Sequence, residues 1–153
     1  MADDNLPWGY CGSPLIANNM LIVNPGSETA SVVALETATG DVVWQAAGST
    51  AAYGSFLKGT FGGTLQIVGH DKESLCGWDT RTGKKLWSVA PKFSGEFLVP
   101  TPVNLNGQLL VTTESNGTRL FGFHDDGKIK AEPVSTNRKL APSTVSYTHL
   151  RAH

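Results

Sequence analysis

The sequence predicts an all-β fold of successive four-stranded antiparallel sheets, the blades of a partial β-propeller. Three observations predict it. Glycine occupies 17 of 153 positions and punctuates short runs of β-branched and aromatic residues, a composition of strands joined by tight turns. The longest stretch free of glycine and proline, residues 27–39, shows no apolar spacing of helical period. The chain also repeats itself about every 44 residues, with room for four strands in each unit.

The repeat is carried by two independent landmarks. Ala34-Leu35-Glu36-Thr37-Ala38-Thr39-Gly40-Asp41-Val42-Val43-Trp44 is echoed by Gly77-Trp78-Asp79-Thr80-Arg81-Thr82-Gly83-Lys84-Lys85-Leu86-Trp87, with both the turn glycines and the terminal tryptophans 43 residues apart. A weaker copy, Phe121-Gly122-Phe123-His124-Asp125-Asp126-Gly127, places Gly127 at 44 beyond Gly83. Upstream, Ser13-Pro14-Leu15, Ser55-Phe56-Leu57 and Thr101-Pro102-Val103 recur at spacings of 42 and 46.

Each unit divides into strands at turn residues. In the first unit strands are expected at about 14–17, 20–24, 31–35 and 42–45, broken by Asn18-Asn19, Pro25-Gly26-Ser27 and Thr39-Gly40. In the third, Asn106-Gly107, Asn116-Gly117 and Asp126-Gly127 are hairpin dipeptides whose residues accept positive φ. Glu36 and Asp79 open the last turn of their units, where a carboxylate can accept backbone N–H bonds. Blades are expected over about 8–47, 52–90 and 97–133, with the start of a fourth after them.

A single blade leaves both faces open, so successive blades pack face to face. Trp44 and Trp87, on the outermost strands, are expected to lie against a neighbouring blade. Burying about 200 Å² of indole is worth roughly 5 kcal/mol before entropy. Gly40, Gly83 and Gly127 complete this structural docking set.

Composition narrows the function. Twelve basic against 13 acidic residues give net charge −1, without the basic excess that nucleic-acid binding uses. Apolar residues make up 40 % and charged ones only 16 %, which argues against disorder. No apolar run approaches the roughly 18 residues of a membrane span. Cys11 and Cys76 have no metal-ligand spacing and read as unpaired thiols. Met1-Ala2-Asp3-Asp4-Asn5 lacks the basic and apolar regions of a signal peptide.

Catalytic signatures are sparse. The sequence has no GxSxG, HExxH, P-loop or CxxC. Lys58-Gly59-Thr60-Phe61-Gly62-Gly63 reads as the first turn of the second blade. His70-Asp71 has the chemistry of an acid–base pair but reads as a solvated connection between strands. Asn116-Gly117-Thr118 matches a glycosylation sequon and is assigned to a turn. Segments 8–13, 53–55 and 97–101, leading into the innermost strands, should face the central funnel. Trp8, Tyr10, Ser13, Tyr53, Ser55 and Thr101 are their binding candidates, and Glu96 is the one acid adjoining them. Such a lining suits contact with a protein or carbohydrate ligand better than calcium coordination.

The string Ala-Leu-x-x-x-Thr-Gly-x-x-x-Trp, at 34–44 and in its latter half at 82–87, resembles the tryptophan-docking repeat of pyrroloquinoline-quinone (PQQ) β-propellers. The resemblance spans about residues 8–133; in the third copy Ala131 stands where Trp is expected. It implies a periplasmic or secreted parent protein, whose missing blades would be this chain's first partners. Family members are either PQQ-dependent alcohol and sugar dehydrogenases or non-catalytic scaffolds, including one of outer-membrane barrel assembly. The dehydrogenases hold PQQ with a calcium ion bound by Glu and Asn, use an Asp base, and sometimes carry a Cys-Cys disulfide. None of these matches this sequence residue by residue, so no cofactor is expected here. The expected function is a non-catalytic binding or assembly scaffold, with part of a dehydrogenase as the alternative. A WD40 blade is disfavoured, because only seven residues separate Gly69-His70 from Trp78-Asp79, where that repeat needs about 25. Residues 1–145 are thus read as one partial propeller. Residues 146–153 resemble a translated sequencing-adaptor tail, and the chain is expected to be a fragment.

Overall fold

The computed structural model describes residues 6–142; the expected tail at 146–153 lies outside them. It contains twelve strands among the described residues and no helix. The first sheet is β1 (Leu15–Ala17), β2 (Met20–Val23), β3 (Val32–Glu36) and β4 (Val42–Ala46). The second is β5 (Leu57–Phe61), β6 (Thr64–His70), β7 (Leu75–Asp79) and β8 (Lys85–Val89). The third is β9 (Val103–Leu105), β10 (Gln108–Thr113), β11 (Gly117–Phe121) and β12 (Ser135–Asn137). Every sheet is antiparallel with its strands in sequence order, so each unit is one propeller blade.

The turns follow their residues. The first hairpin of each blade has positive φ at both central positions: Asn18 and Asn19, Gly62 and Gly63, Asn106 and Gly107. That is the turn whose twist matches the strands it joins. The β3–β4 and β7–β8 pairs both carry a bulge, at Ala34/Leu35 and Gly77/Trp78. The bulge sets Trp44 opposite Ala34 and Trp87 opposite Gly77. A small residue is needed there, since a Cβ at Gly77 would come 2.6 Å from Trp87 Cζ2.

Strand alternation sends each blade's apolar residues to both of its faces. Ile67, Cys76 and Trp78 of the second blade join Ile22, Ala34 and Trp44 of the first in one core. Val68, Leu75 and Trp87 join Leu109, Val111 and Phe121 of the third in another. At the inner strands the blades are stitched directly. Ser13 N–H donates to Ser55 Oγ at 2.8 Å, and Ser55 N–H to Thr101 Oγ1 at 3.0 Å. The hydroxyl landmark of the repeat is thus a bond between successive blades.

The third blade departs from its sequence reading. Its fourth strand is Ser135–Asn137, beyond the limit expected near residue 133. The hairpin after β11 runs on through a Phe123↔Ile129 bridge, with Lys130 N–H to Gly122 O and Val134 N–H to Leu120 O. This longer return displaces the register. Leu120 pairs with Ser135, the places that Val33 with Gln45 and Cys76 with Ser88 hold in the other blades. Phe121, buried, stands where the small Ala34 and Gly77 face the tryptophans of the other blades.

Candidate functional site

The candidate site lies where the two interblade linkers, residues 47–56 and 90–102, converge on the loop between β6 and β7. Each linker must travel from an outer strand to the next inner strand, and so crosses the same end of the sheets. Between the linkers runs a groove of about 890 Å³.

At its inner end three aromatic rings meet, from the segment before the first blade and from each linker. Trp8 lies 5.7 Å from Tyr53 and 4.9 Å from Phe97, both edge-on, and Tyr53 is 6.1 Å from Phe97. Tyr53 is buried, whereas Trp8 is 65 % and Phe97 46 % exposed. The floor is organised by Asp71. Its Oδ1 accepts from Glu73 N, Ser74 N and Ser74 Oγ at 3.0, 2.8 and 3.2 Å, and its Oδ2 faces Lys85 Nζ at 3.8 Å. The main chain seals it through Asp71 N–H to Ser74 O and Lys72 N–H to Thr50 O.

The sequence reading of His70-Asp71 as a solvated connection is therefore wrong. Both residues are 3 % exposed, because β6 is two-sided core and the 48–51 linker covers its end through an Ala51↔Asp71 bridge. Burial, reinforced by Arg119, lowers the His70 pKa to about 4, against weaker opposing effects of Asp71 and Glu96. The folded protein thus keeps His70 neutral where the unfolded chain, with a pKa near 6.5, takes up a proton. The contribution is fully present above pH 6.5 and is lost as pH falls to about 4, a total on the order of 3 kcal/mol. Urea denaturation at stepped pH should show this slope, and His70→Gln should flatten it; an unchanged slope in the variant would contradict it. Burial and Asp71 push the Cys76 thiol up, away from the reactive thiolate.

The other expected residues sort into different places. Tyr10 reaches away and donates to Pro25 O at 3.0 Å. Ser13, through its main chain, and the hydroxyls of Ser55 and Thr101 form the interblade stitch, and Ser13 and Ser55 also line, with Tyr10, a second cavity of about 400 Å³. Glu96 Oε2 and Oε1 accept from Ser115 N and Asn116 Nδ2, both at 2.5 Å. Asn116 also donates from Nδ2 to Phe93 O at 2.9 Å and is buried, so the sequon side chain is held against the second linker. Asp79 accepts from Arg81 N, Thr82 N and Thr82 Oγ1 as its turn position implies. The matching turn at Glu36 closes through backbone bonds from Gly40 N–H to Glu36 O and from Glu36 N–H to Asp41 O.

The tryptophans sit at the joints. Trp44 lies over Gly83 of the second blade, where a Cβ would come 2.7 Å from Trp44 Cδ2. Trp87 meets Phe123 of the third blade edge-on at 5.7 Å and donates from Nε1 to Gln66 Oε1 at 2.7 Å. Gln66, fully buried, extends Nε2 to Gly127 O at 2.6 Å. Gly40 faces open space. Sequence reasoning missed Gln66, because a glutamine in a strand carries no signal until its partners are placed.

These residues do not fit a calcium–quinone centre. The carboxylate nearest the inner segments, Glu96, has both oxygens engaged by the β10–β11 turn. Among the described residues no three His, Cys, Asp or Glu side chains converge as metal ligands.

Comparison with known proteins accords with the blade architecture. The sequence matches the family described as outer membrane protein assembly factor BamB over residues 5–89 and, overlapping, 28–148. The fold is similar to the crystal structure of BamB from Moraxella catarrhalis, with a TM-score of 0.59 and 18 % identity. That similarity covers 85 % of this chain and 38 % of that one. No curated protein matches the sequence.

Proposed function

This chain belongs to the BamB family of outer membrane assembly factors, and from that premise we propose that it supplies three blades of a larger, non-catalytic propeller. The chain spans about 38 % of the BamB it resembles in fold, so the function is one shared with further blades. Its setting is extracytoplasmic, and its partners are those blades and proteins of an outer-membrane assembly complex. No helix among the described residues is long and apolar enough to cross a membrane.

The observation that carries the reading is the contrast between the joints and the outward face of the first blade. Trp44 and Ala17 are buried against the second blade, while their strand neighbours Val43 and Ile16 are 49 % and 60 % exposed. Exposed apolar residues of that kind mark a surface made for a neighbour. Isolated, the chain should therefore self-associate, and light scattering should show growth of mass with concentration. A monodisperse monomer at high concentration would contradict the open-face reading.

The non-catalytic part has its own test. Quinone absorbance and calorimetry should detect no calcium-dependent binding of PQQ. Saturable binding tighter than about 10 μM would correspond to roughly 7 kcal/mol. It would overturn the scaffold reading in favour of a dehydrogenase.

A further inference from the structure

We propose that the groove between the two interblade linkers binds a neutral oligosaccharide, stacked on Phe97 of its lining and on Trp8 beside Phe97. This goes beyond the scaffold reading and does not depend on it. The groove's volume, about 890 Å³, lies within the range of roughly 300–1,000 Å³ usual for ligand clefts. An indole 65 % exposed beside a ring 46 % exposed is a large apolar platform for two side chains that already touch. Sugars present C–H faces that lie flat on such rings and hydroxyls around their edge.

The lining also carries hydroxyls and carboxylates. Ser49 and Ser94 stand on the two linkers, and the exposed Glu28 and Glu73 reach in from the β2–β3 and β6–β7 loops. A carboxylate accepts from two sugar hydroxyls at once. Charge argues against an anionic ligand. Four acids (Glu28, Asp71, Glu73, Glu96) border the groove against two lysines (Lys72, Lys85), and Lys85 is drawn towards Asp71. Main-chain geometry argues against an extended peptide adding itself as a strand. Gly54 N–H is bonded to Leu98 O, Lys72 N–H to Thr50 O, and Ala51 is bridged to Asp71, so these linker positions offer no free strand edge.

Titration of the full chain with chitotetraose, cellotetraose and maltotetraose tests the assignment, read by tryptophan fluorescence and by amide shifts of Phe97 and Glu73. At least one of the three should bind saturably, and Trp8→Ala and Phe97→Ala should each weaken it tenfold or more. Lys128→Ala, on the turn between β11 and β12, should leave it unchanged. Trp8 is exposed, so its removal leaves the fold intact, which unchanged far-UV circular dichroism verifies. Absence of saturable binding by all three sugars would overturn the proposal. So would binding indifferent to Trp8→Ala, or tighter binding of a sulfated oligosaccharide than of any neutral one. None of these results bears on whether the blades act as a scaffold.

Discussion

Trp87→Ala should lower the unfolding free energy by about 4–6 kcal/mol. The indole is 7 % exposed in the core between the second and third blades. Deleting a buried aromatic of that size costs about 3–5 kcal/mol through lost contacts and the remaining cavity. Trp87 also satisfies Gln66 Oε1 at 2.7 Å, and stranding a buried acceptor adds roughly 1–3 kcal/mol, part of which relaxation recovers. Trp44 supplies the comparison. It is equally buried, at 8 %, but its Nε1 has no hydrogen-bond partner, so Trp44→Ala loses only the packing contribution. Denaturation in urea should rank Trp87→Ala as more damaging by about 1 kcal/mol or more. Gln66→Leu placed on top of Trp87→Ala should recover part of the difference. A loss below about 1 kcal/mol for either tryptophan would remove its assignment to the joint.

Gly83→Ala is expected to cost about 2–5 kcal/mol, while Gly40→Ala costs only about 1–2. The two glycines occupy the same place in the repeat and have similar backbones, at φ +70° and +79°. Left-handed backbone alone penalises an L-residue by about 1–2 kcal/mol. At Gly83 the added methyl would also come 2.7 and 2.9 Å from Trp44 Cδ2 and Cζ3, and overpacking adds roughly 1–3 kcal/mol. At Gly40 nothing lies within 4 Å. Thermal or chemical unfolding of the two variants side by side separates backbone strain from the joint. Equal losses would show that Trp44 does not press on the second blade's turn.

The legible part of this protein was the part governed by short-range rules. Strands of the first blade fall within a residue or so of their expected positions, because turn residues such as Asn18, Asn19 and Gly40 need backbone angles that strands exclude. The period itself follows from identical units meeting identical neighbours. The third blade was misread where that identity fails. Its turn glycine, Gly127, keeps the spacing, but the hairpin behind it is longer, so counting from the turn ended the blade near residue 133, short of the strand at Ser135–Asn137. A count along the chain cannot register extra residues that leave the sheet and return.

Of the candidate site, sequence alone determined the inner segments and their aromatic character, and it named Trp8 and Tyr53. It also named Trp44, Trp87, Gly83 and Gly127, since their repetition is written in one dimension, while Gly40 of the same set meets no neighbour. Tertiary structure decided the rest. It joined Phe97 to Trp8 and Tyr53, linked Ser13, Ser55 and Thr101 across the blades, and buried Asp71 under the preceding linker and His70 against the third blade. It also spent Glu96 on Ser115 and Asn116. The physical reason is that burial and hydrogen-bond partnership are properties of pairs of segments. Asp71 lies 20 residues from Ala51, which bridges to it, and His70 lies beside Leu98 and Arg119; none of these carries a mark of the others until the blades stack.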